Sequence, residues 1–433
     1  MIKKDMRIYI ETYGCTLNRA DSNLMSSLLK ARGHEVVGNP DDADVIIVNT
    51  CTVRKDTELR VIKRIKTLSK LYGSRRKIII AGCMVRTQPF TLKRLVPNAS
   101  LISPQNLHRV CEVVESSIPK YIILGERDTS RLPLSLEGII AYVPIAEGCL
   151  GNCSFCITKI ARRRLMSYKP ELIIKTVSKL VKAGAKEIDL TAQDTGVYGV
   201  DLNPKWNLSR LVMEVANIEG DFMIRVGMAN PKGILNQLDE FIEVLKYPKV
   251  FKFVHIPLQS GDNKVLKVMN RDYTVDDFRY LVKEIKRKVP NVVIATDLIV
   301  GHPGEDEEAF MNTVNILKEL MIDRVHIAQY SIRPRTLSAA LPQVPEHIKK
   351  ERSIYLTKLI EELGSQINKE YLGSISKVLV VKRGFRGKGL IGKLFNYKSV
   401  VLNIDNDELI GKWVWVRIKD YTFYDLRAEV IRV

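Results

Sequence analysis

The chain has 433 residues, enough for two or three domains with buried cores. Its 45% apolar content excludes a disordered chain, and no apolar run approaches the roughly 18 residues of a membrane span. The 68 Lys and Arg against 49 Asp and Glu, a formal net charge of +19, fit a polyanionic partner such as nucleic acid, although a solvated basic surface gives the same sum. The opening Met1-Ile-Lys-Lys-Asp5 lacks the apolar segment of a signal peptide, so the default location is cytoplasmic, with no membrane partner. In a reducing compartment, seven cysteines read as metal ligands or reactive thiols rather than as a disulfide framework.

Residues 1–125 alternate strand-like runs with helical stretches. The runs are Arg7-Ile-Tyr-Ile-Glu-Thr12, Val45-Ile-Ile-Val-Asn49 and Lys77-Ile-Ile-Ile-Ala81, and Asp21 and Ser22 offer an N-cap for the first helix. This alternation predicts a parallel, doubly wound sheet. Cys15, Cys51 and Cys83 each follow one of these strands by one to three residues, at separations of 36 and 32 residues. Each separation matches one βαβ unit of about 30 or more residues, so three thiols from three strand ends converge on a second metal site. Cys111, in Leu107-His-Arg-Val-Cys-Glu-Val-Val114, falls on the apolar side of a helix and reads as core.

Gly125 to Gly138 reads as a linker. Within a second unit, 135–372, residues 140 to about 332 repeat a strand–helix unit, with strands near 141–146, 186–192, 222–228, 250–256, 292–300 and 322–330. Six units argue for a partial (β/α)6 parallel barrel with its chemistry at the C-terminal strand ends. The first strand runs into Cys149-Leu-Gly-Asn-Cys-Ser-Phe-Cys156, a C-x3-C-x2-C triplet. Cys149, Cys153 and Cys156 can hold three corners of a 4Fe–4S cluster and leave one iron open. Structural zinc is the alternative, but it needs four ligands, and the nearest other Cys and His are Cys111 and His108.

After a Pro-punctuated loop, Arg333 to Pro342, a long amphipathic helix runs from about Pro345 to Leu372 and stops at Gly373. Residues 373–433 read as a small β-barrel. From Tyr371 to Ile404 there is no Asp or Glu, while Lys377, Lys382, Arg383, Arg386, Lys388, Lys393 and Lys398 interleave with Phe385, Phe395 and Tyr397. Such a strip suits an RNA backbone and splayed bases; the alternative is aromatics in the barrel core and solvated lysines.

The triplet resembles that of the radical S-adenosylmethionine (SAM) superfamily, in which the open iron takes the amino and carboxylate groups of SAM. That resemblance places Phe155 against the adenine. Glu11-Thr-Tyr-Gly-Cys-Thr-Leu-Asn-Arg-Ala-Asp-Ser22, Asn49-Thr-Cys51 and Ala81-Gly-Cys83 resemble signatures of the methylthiotransferases of that superfamily. So do Leu190-Thr-Ala-Gln-Asp-Thr-Gly196, Ile256-Pro-Leu-Gln-Ser-Gly261 and Ala295-Thr-Asp-Leu-Ile-Val-Gly-His-Pro-Gly304. The C-terminal barrel resembles the TRAM domain, an RNA-binding module. Tyr13 to Ser22 and Ile157 to Arg162 look most like the branch acting on threonylcarbamoyladenosine in tRNA. Other branches use isopentenyladenosine or a ribosomal-protein aspartate. Arg163 and Arg335 stand where that branch usually has glycine, Ile332 where it has proline, and His302 where a Phe is common.

The resemblance implies two 4Fe–4S clusters, on Cys149, Cys153 and Cys156 and on Cys15, Cys51 and Cys83. It also implies SAM, an electron donor and a sulfur source. One SAM would methylate the auxiliary sulfur, and a second would supply the radical that takes hydrogen from adenine carbon 2 at position 37, next to the anticodon. Gln193 is a candidate for SAM's amino group, or else an ordinary polar loop residue. Lys382, Arg383, Phe385, Arg386 and Lys388 are the candidate contacts to the tRNA anticodon stem-loop. A rival from another class is a non-enzymatic RNA-binding protein with structural metal.

Overall fold

The structure, a computed structural model, describes residues 5–432, the Arg386 side chain excepted; residues 1–4 of the opening stretch read above for a leader lie outside the described residues. The first unit comprises β1 (Arg7–Thr12), α1 (Thr16–Ala31), β2 (Glu35–Val37), β3 (Val45–Thr50), α2 (Lys55–Tyr72) and β4 (Lys77–Gly82). It continues through α3 (Cys83–Thr87), α4 (Pro89–Leu95), β5 (Ser100–Ile102), α5 (Val110–Glu115) and β6 (Tyr121–Ile122). All six strands are parallel, in the order β2-β1-β3-β4-β5-β6. Ile46, Val48, Ile78 and Ile80 pack on one face and Ile47, Ile79 and Ala81 on the other, which is why these strands read as unbroken apolar runs. The order reverses between β1 and β3, the switch point at which such folds collect ligands.

Two local expectations need correction. Cys15, not Asp21 or Ser22, is the N-cap of α1; both of those residues are buried inside the helix, where Asp21 serves arginines rather than helix N–H groups. Cys111 is only half-buried, and its thiol donates to the Leu28 carbonyl at 3.6 Å.

The central unit opens with β7 (Ile140–Pro144). A short antiparallel pair, β8 (Ala146–Glu147) and β9 (Met166–Ser167), encloses the cysteine triplet and α6 (Ile157–Arg162). Next come α7 (Pro170–Lys182), β10 (Glu187–Thr191), α8 (Leu208–Ala216), β11 (Met223–Val226), α9 (Pro231–Leu235) and α10 (Leu238–Leu245). The unit closes with β12 (Phe253–His255), α11 (Asn263–Val268), α12 (Val275–Lys288), β13 (Val293–Val300), α13 (Glu307–Leu320) and β14 (Arg324–Gln329). Two parallel three-stranded sheets, β7-β10-β11 and β12-β13-β14, join through an Ile224–Val250 bridge into a partial barrel. Ile294, Leu298 and Val300 of β13 belong to the large apolar core. Val293 and Ala295 belong to a separate cluster inside the barrel. Strand alternation puts Asp297 on that same inner side.

After α14 (Glu346–Lys369), a turn at Gly373 (φ +78°) leads into β15 (Ile375–Arg383), β16 (Leu390–Lys393), β17 (Ser399–Leu402), β18 (Trp413–Tyr421) and β19 (Leu426–Arg432). These five strands close as a barrel in the order β15-β16-β17-β19-β18. Leu379 and Val381 pack on Phe251, Phe253 and Val293 at the base of the central barrel. Here the basic strip divides. Lys393 Nζ lies 2.6 Å from Glu187 Oε1, Tyr397 OH donates to the same oxygen at 3.0 Å, and Lys398 Nζ lies 3.3 Å from Asp323 Oδ1. These three side chains face the central barrel, because the fully buried Glu187 carboxylate requires a cation. No described helix is long and apolar enough to cross a membrane.

Candidate iron–sulfur site at the domain interface

β1, β3 and β4 deliver Cys15, Cys51 and Cys83 to one sheet edge. Gly14 (φ +106°) makes the close approach possible, since a Cβ there would lie 2.9 Å from Cys51 Sγ. Asn18 gathers the other two sulfurs: its Oδ1 is 3.9 Å from Cys15 Sγ and 3.8 Å from Cys83 Sγ. Its Nδ2 donates to the carbonyls of Tyr13 (2.7 Å) and Thr50 (3.0 Å), which fixes the amide. Burial pushes the Cys83 thiol up to about 12; the Arg162 guanidinium opposes this, and the other two thiols add to it.

The second set lies on the loop after β8. A Cβ at Gly148 (φ +73°) would fall 1.8 Å from the Arg164 carbonyl, so only glycine fits where the chain doubles back. Gly151 lies between Cys149 and Cys153, whose sulfurs are 3.5 and 3.7 Å from where its Cβ would be. Gly151 N donates to Cys149 Sγ at 3.3 Å and Arg271 Nη1 to Cys153 Sγ at 2.9 Å. Burial pushes Cys149 up to about 12, with Asp194 and the two neighbouring thiols adding to it, and raises Cys156 as well. Ser154 anchors the loop through N to the Met269 carbonyl (3.0 Å) and Oγ to the Val268 carbonyl (2.8 Å).

Thiols held so high bind as thiolates only when a ligand supplies positive charge. A single zinc ion at about 2.3 Å from each sulfur needs sulfurs roughly 3.8 Å apart. Among the described residues, neither cysteine set gathers its three sulfurs within 4.8 Å of one another. Around the barrel mouth, Gln193 Oε1 and Gln259 Oε1 are buried acceptors without a hydrogen-bond partner, as a polar ligand requires. Phe155 lies edge-on to His302 with ring centroids 5.9 Å apart.

Four charged residues that sequence reasoning missed join the two cysteine sets. Arg162, the last residue of α6, places Nη2 2.7 Å from Asn18 Oδ1 and 2.6 Å from Asp21 Oδ2, and Nη1 3.1 Å from Glu147 Oε2. Arg127, from the stretch read as a linker, places Nη2 3.0 Å from Asp21 Oδ1 and 3.2 Å from Glu147 Oε1. All four side chains are at most 3% exposed, and their charges balance. Asp21 carried a signal in the sequence, because it stands on the apolar stripe of α1 with Leu17, Leu24 and Met25. Also missed was a lumenal group at the C-terminal half of the barrel. His255 Nε2 lies 3.1 Å from Asp297 Oδ2, and His326 Nδ1 lies 3.0 Å from Asp297 Oδ1. Burial raises the Asp297 carboxyl, but the two imidazoles beside it outweigh this and hold the group well below the usual range.

On the C-terminal barrel Lys382, Phe385 and Lys388 are exposed, and Arg383 Nη2 pairs with Asp407 Oδ2 at 2.7 Å. The Arg386 side chain lies outside the described residues. Of the residues that depart from the family pattern, His302 is fully buried, with Nε2 2.8 Å from Ser338 Oγ. Ile332 is exposed. Arg163 (φ +66°, ψ −136°) and Arg335 (φ +65°) hold backbone conformations that favour glycine.

Residues 7–103 match the family described as "Uncharacterized protein family UPF0004", residues 143–317 the radical SAM superfamily, and residues 369–431 the TRAM domain. A "probable threonylcarbamoyladenosine tRNA methylthiotransferase" of Methanocaldococcus jannaschii is 42% identical, covering 99% of this chain and 97% of its own. The human threonylcarbamoyladenosine tRNA methylthiotransferase is 35% identical over 98% of this chain and 74% of its own. Among solved structures, the radical SAM methyltransferase TsrM of Kitasatospora setae superposes with a TM-score of 0.59 at 14% identity, covering 78% of this chain and 75% of its own, a likeness of fold. With full-length relatives at this level of identity and a matching order of three domains, the chain belongs to the threonylcarbamoyladenosine tRNA methylthiotransferase family of the radical SAM superfamily.

Proposed function

We propose that this protein transfers a methylthio group to carbon 2 of N6-threonylcarbamoyladenosine at tRNA position 37. The observation that carries the reading is that Arg162, six residues after Cys156, reaches Asn18 Oδ1, which lies within 4 Å of the Cys15 and Cys83 sulfurs. Residues 1–125 form the auxiliary-cluster domain, 135–372 the radical SAM domain and 373–433 the RNA-binding domain. Cys149, Cys153 and Cys156 would hold one 4Fe–4S cluster and Cys15, Cys51 and Cys83 a second; such clusters would supply the electron for SAM cleavage and the sulfur for transfer.

The chain's own groups bind, orient and exclude water. Gly151 N and Arg271 stabilise negative charge on the Cys149 and Cys153 sulfurs. Phe155 would line the adenine of SAM, and the unpartnered Gln193 Oε1 would accept from its amino group. The Thr16–Thr191 hydroxyl contact (2.8 Å) and the Arg333–Glu58 pair (3.0 Å) hold the N-terminal sheet over the barrel mouth, which keeps a reactive radical from water. Lys382, Arg383, Phe385, Arg386 and Lys388 engage the anticodon stem-loop. An electron donor and a sulfur source complete the system.

The test is mass spectrometry of nucleosides from tRNA that carries threonylcarbamoyladenosine, incubated with anaerobically reconstituted protein, SAM and a reductant. The expected result is one methylthio group gained on that nucleoside. Formation of 5′-deoxyadenosine without that gain would reject the substrate. A colourless protein without SAM turnover would return both cysteine sets to structural metal.

A further inference from the structure

An open cavity of about 810 Å³ lies between α3, α6 and the loop 333–336, and none of the six proposed cluster cysteines lines it. Its walls carry Arg86, Lys159, Arg163, Arg164 and Arg335 and no carboxylate. Among the described residues, the hydrogen bonds of these cations run to backbone carbonyls. Arg86 Nη1 donates to Ile123 O at 3.2 Å, Arg335 Nη2 to Thr87 O at 2.8 Å, and Lys159 Nζ to Cys149 O. Each guanidinium has five N–H groups, so most of its donors are available to a ligand.

Two of these arginines stand on strained backbone. Cys149 N donates to Arg163 O at 3.3 Å, which holds Arg163 at φ +66° and ψ −136°, outside the left-handed helical basin. Arg335 is at φ +65°. Glycine would meet both turns without strain, and strain retained at a like-charged cluster points to a use for the side chains. Burial holds Arg86 below its ordinary value, and the nearby Arg163 and Arg335 charges lower it further. An anion seated among the three relieves that repulsion.

We propose that this cavity binds the sugar–phosphate backbone of the RNA substrate, with a phosphate held by Arg86, Arg163 and Arg335 and a base stacked on Phe90, a residue 86% exposed at the rim. Its volume is on the scale of ligand clefts of about 300–1,000 Å³, ample for a nucleotide. Cations spread along an open cleft match the regular charges of a backbone, and an exposed aromatic ring accepts any base. The assignment rests on the tRNA reading above and extends it, because it places RNA beside the cluster loop as well as on the C-terminal barrel.

The test uses the full-length reconstituted protein, an unmodified anticodon stem-loop RNA and the same RNA carrying threonylcarbamoyladenosine, with affinity read by fluorescence anisotropy over a salt series. Arg163→Gly and Arg335→Gly together are expected to weaken binding of both RNAs about tenfold at low salt and to flatten the salt slope by about 0.7 for each lost contact. The unfolding temperature should hold or rise, because glycine removes the strain. Unchanged affinity and slope beside a wild type that binds both RNAs would overturn the site and leave the tRNA reading standing. A loss confined to the modified RNA would assign the arginines to the threonyl carboxylate and also overturn it. A wild type that binds neither RNA would sink the tRNA reading and this site with it.

Discussion

Arg162 Nη2 lies 2.7 Å from Asn18 Oδ1, the same oxygen that is within 4 Å of the Cys15 and Cys83 sulfurs. Arg162 comes six residues after Cys156, so a side chain from the barrel's cysteine loop reaches the cysteines at the N-terminal sheet edge. The N-terminal cysteine set is therefore positioned in part by the unit that carries the other.

Arg162→Leu removes one of the two cations that neutralise Asp21 and Glu147 in a dry interface. Stability should fall by about 3–5 kcal/mol, because a buried carboxylate is left without a counter-charge. Anaerobic urea unfolding measures this. Arg162→Lys should recover only part, since an ammonium cannot span both carboxylates and Asn18.

Cys51→Ala should lower bound iron to about half and abolish methylthio transfer while 5′-deoxyadenosine formation continues. Iron assay and nucleoside mass spectrometry read the two effects separately. Transfer at the wild-type level would remove Cys51 from the auxiliary site.

The divided basic strip makes opposite predictions for its two halves. Lys393→Met leaves Glu187 buried without a cation and should cost about 3–5 kcal/mol in an unfolding titration. Lys382→Glu with Lys388→Glu should leave the unfolding midpoint where it is and weaken tRNA binding, with a smaller salt dependence. Equal affinity in the second variant would return that face to ordinary solvated surface.

His302 gives an acid-side signature. Burial lowers its pKa to about 4, against 6.5 for the free side chain, so the unfolded chain takes up the proton first. The contribution is fully present above about pH 6.5 and is lost as pH falls toward 4, by up to about 3 kcal/mol. Stability of His302→Phe should decline less steeply than wild type across that window in parallel unfolding titrations. Identical slopes would mean that His302 is protonated as readily in the folded chain.

The parts legible in the sequence were those with a local cause. Apolar runs such as Val45 to Asn49 announce strands covered on both faces, and a cysteine just past each strand end must lie at one sheet edge, because parallel strands end together. The triplet Cys149, Cys153 and Cys156 was legible for the same reason, since three ligands on one loop need no tertiary contact to be neighbours. The positions of Asp21 and Lys393 were misread because a charged residue's role depends on its partner. Asp21 has the pattern of a cap and Lys393 that of a solvated contact, and each instead meets a charge more than 100 residues away.

The sequence by itself determined the strand–helix alternation, the placing of two cysteine triplets after strand ends and the order of the three units, because hydrophobic period and ligand spacing act over a few residues. Only the tertiary structure decided which charges are buried together, as in the Asp21, Arg127, Glu147 and Arg162 quartet, and which are left without a counter-charge, as in the cavity of Arg86, Arg163 and Arg335. Burial and pairing are properties of the space between distant segments, and a linear pattern carries no measure of that space.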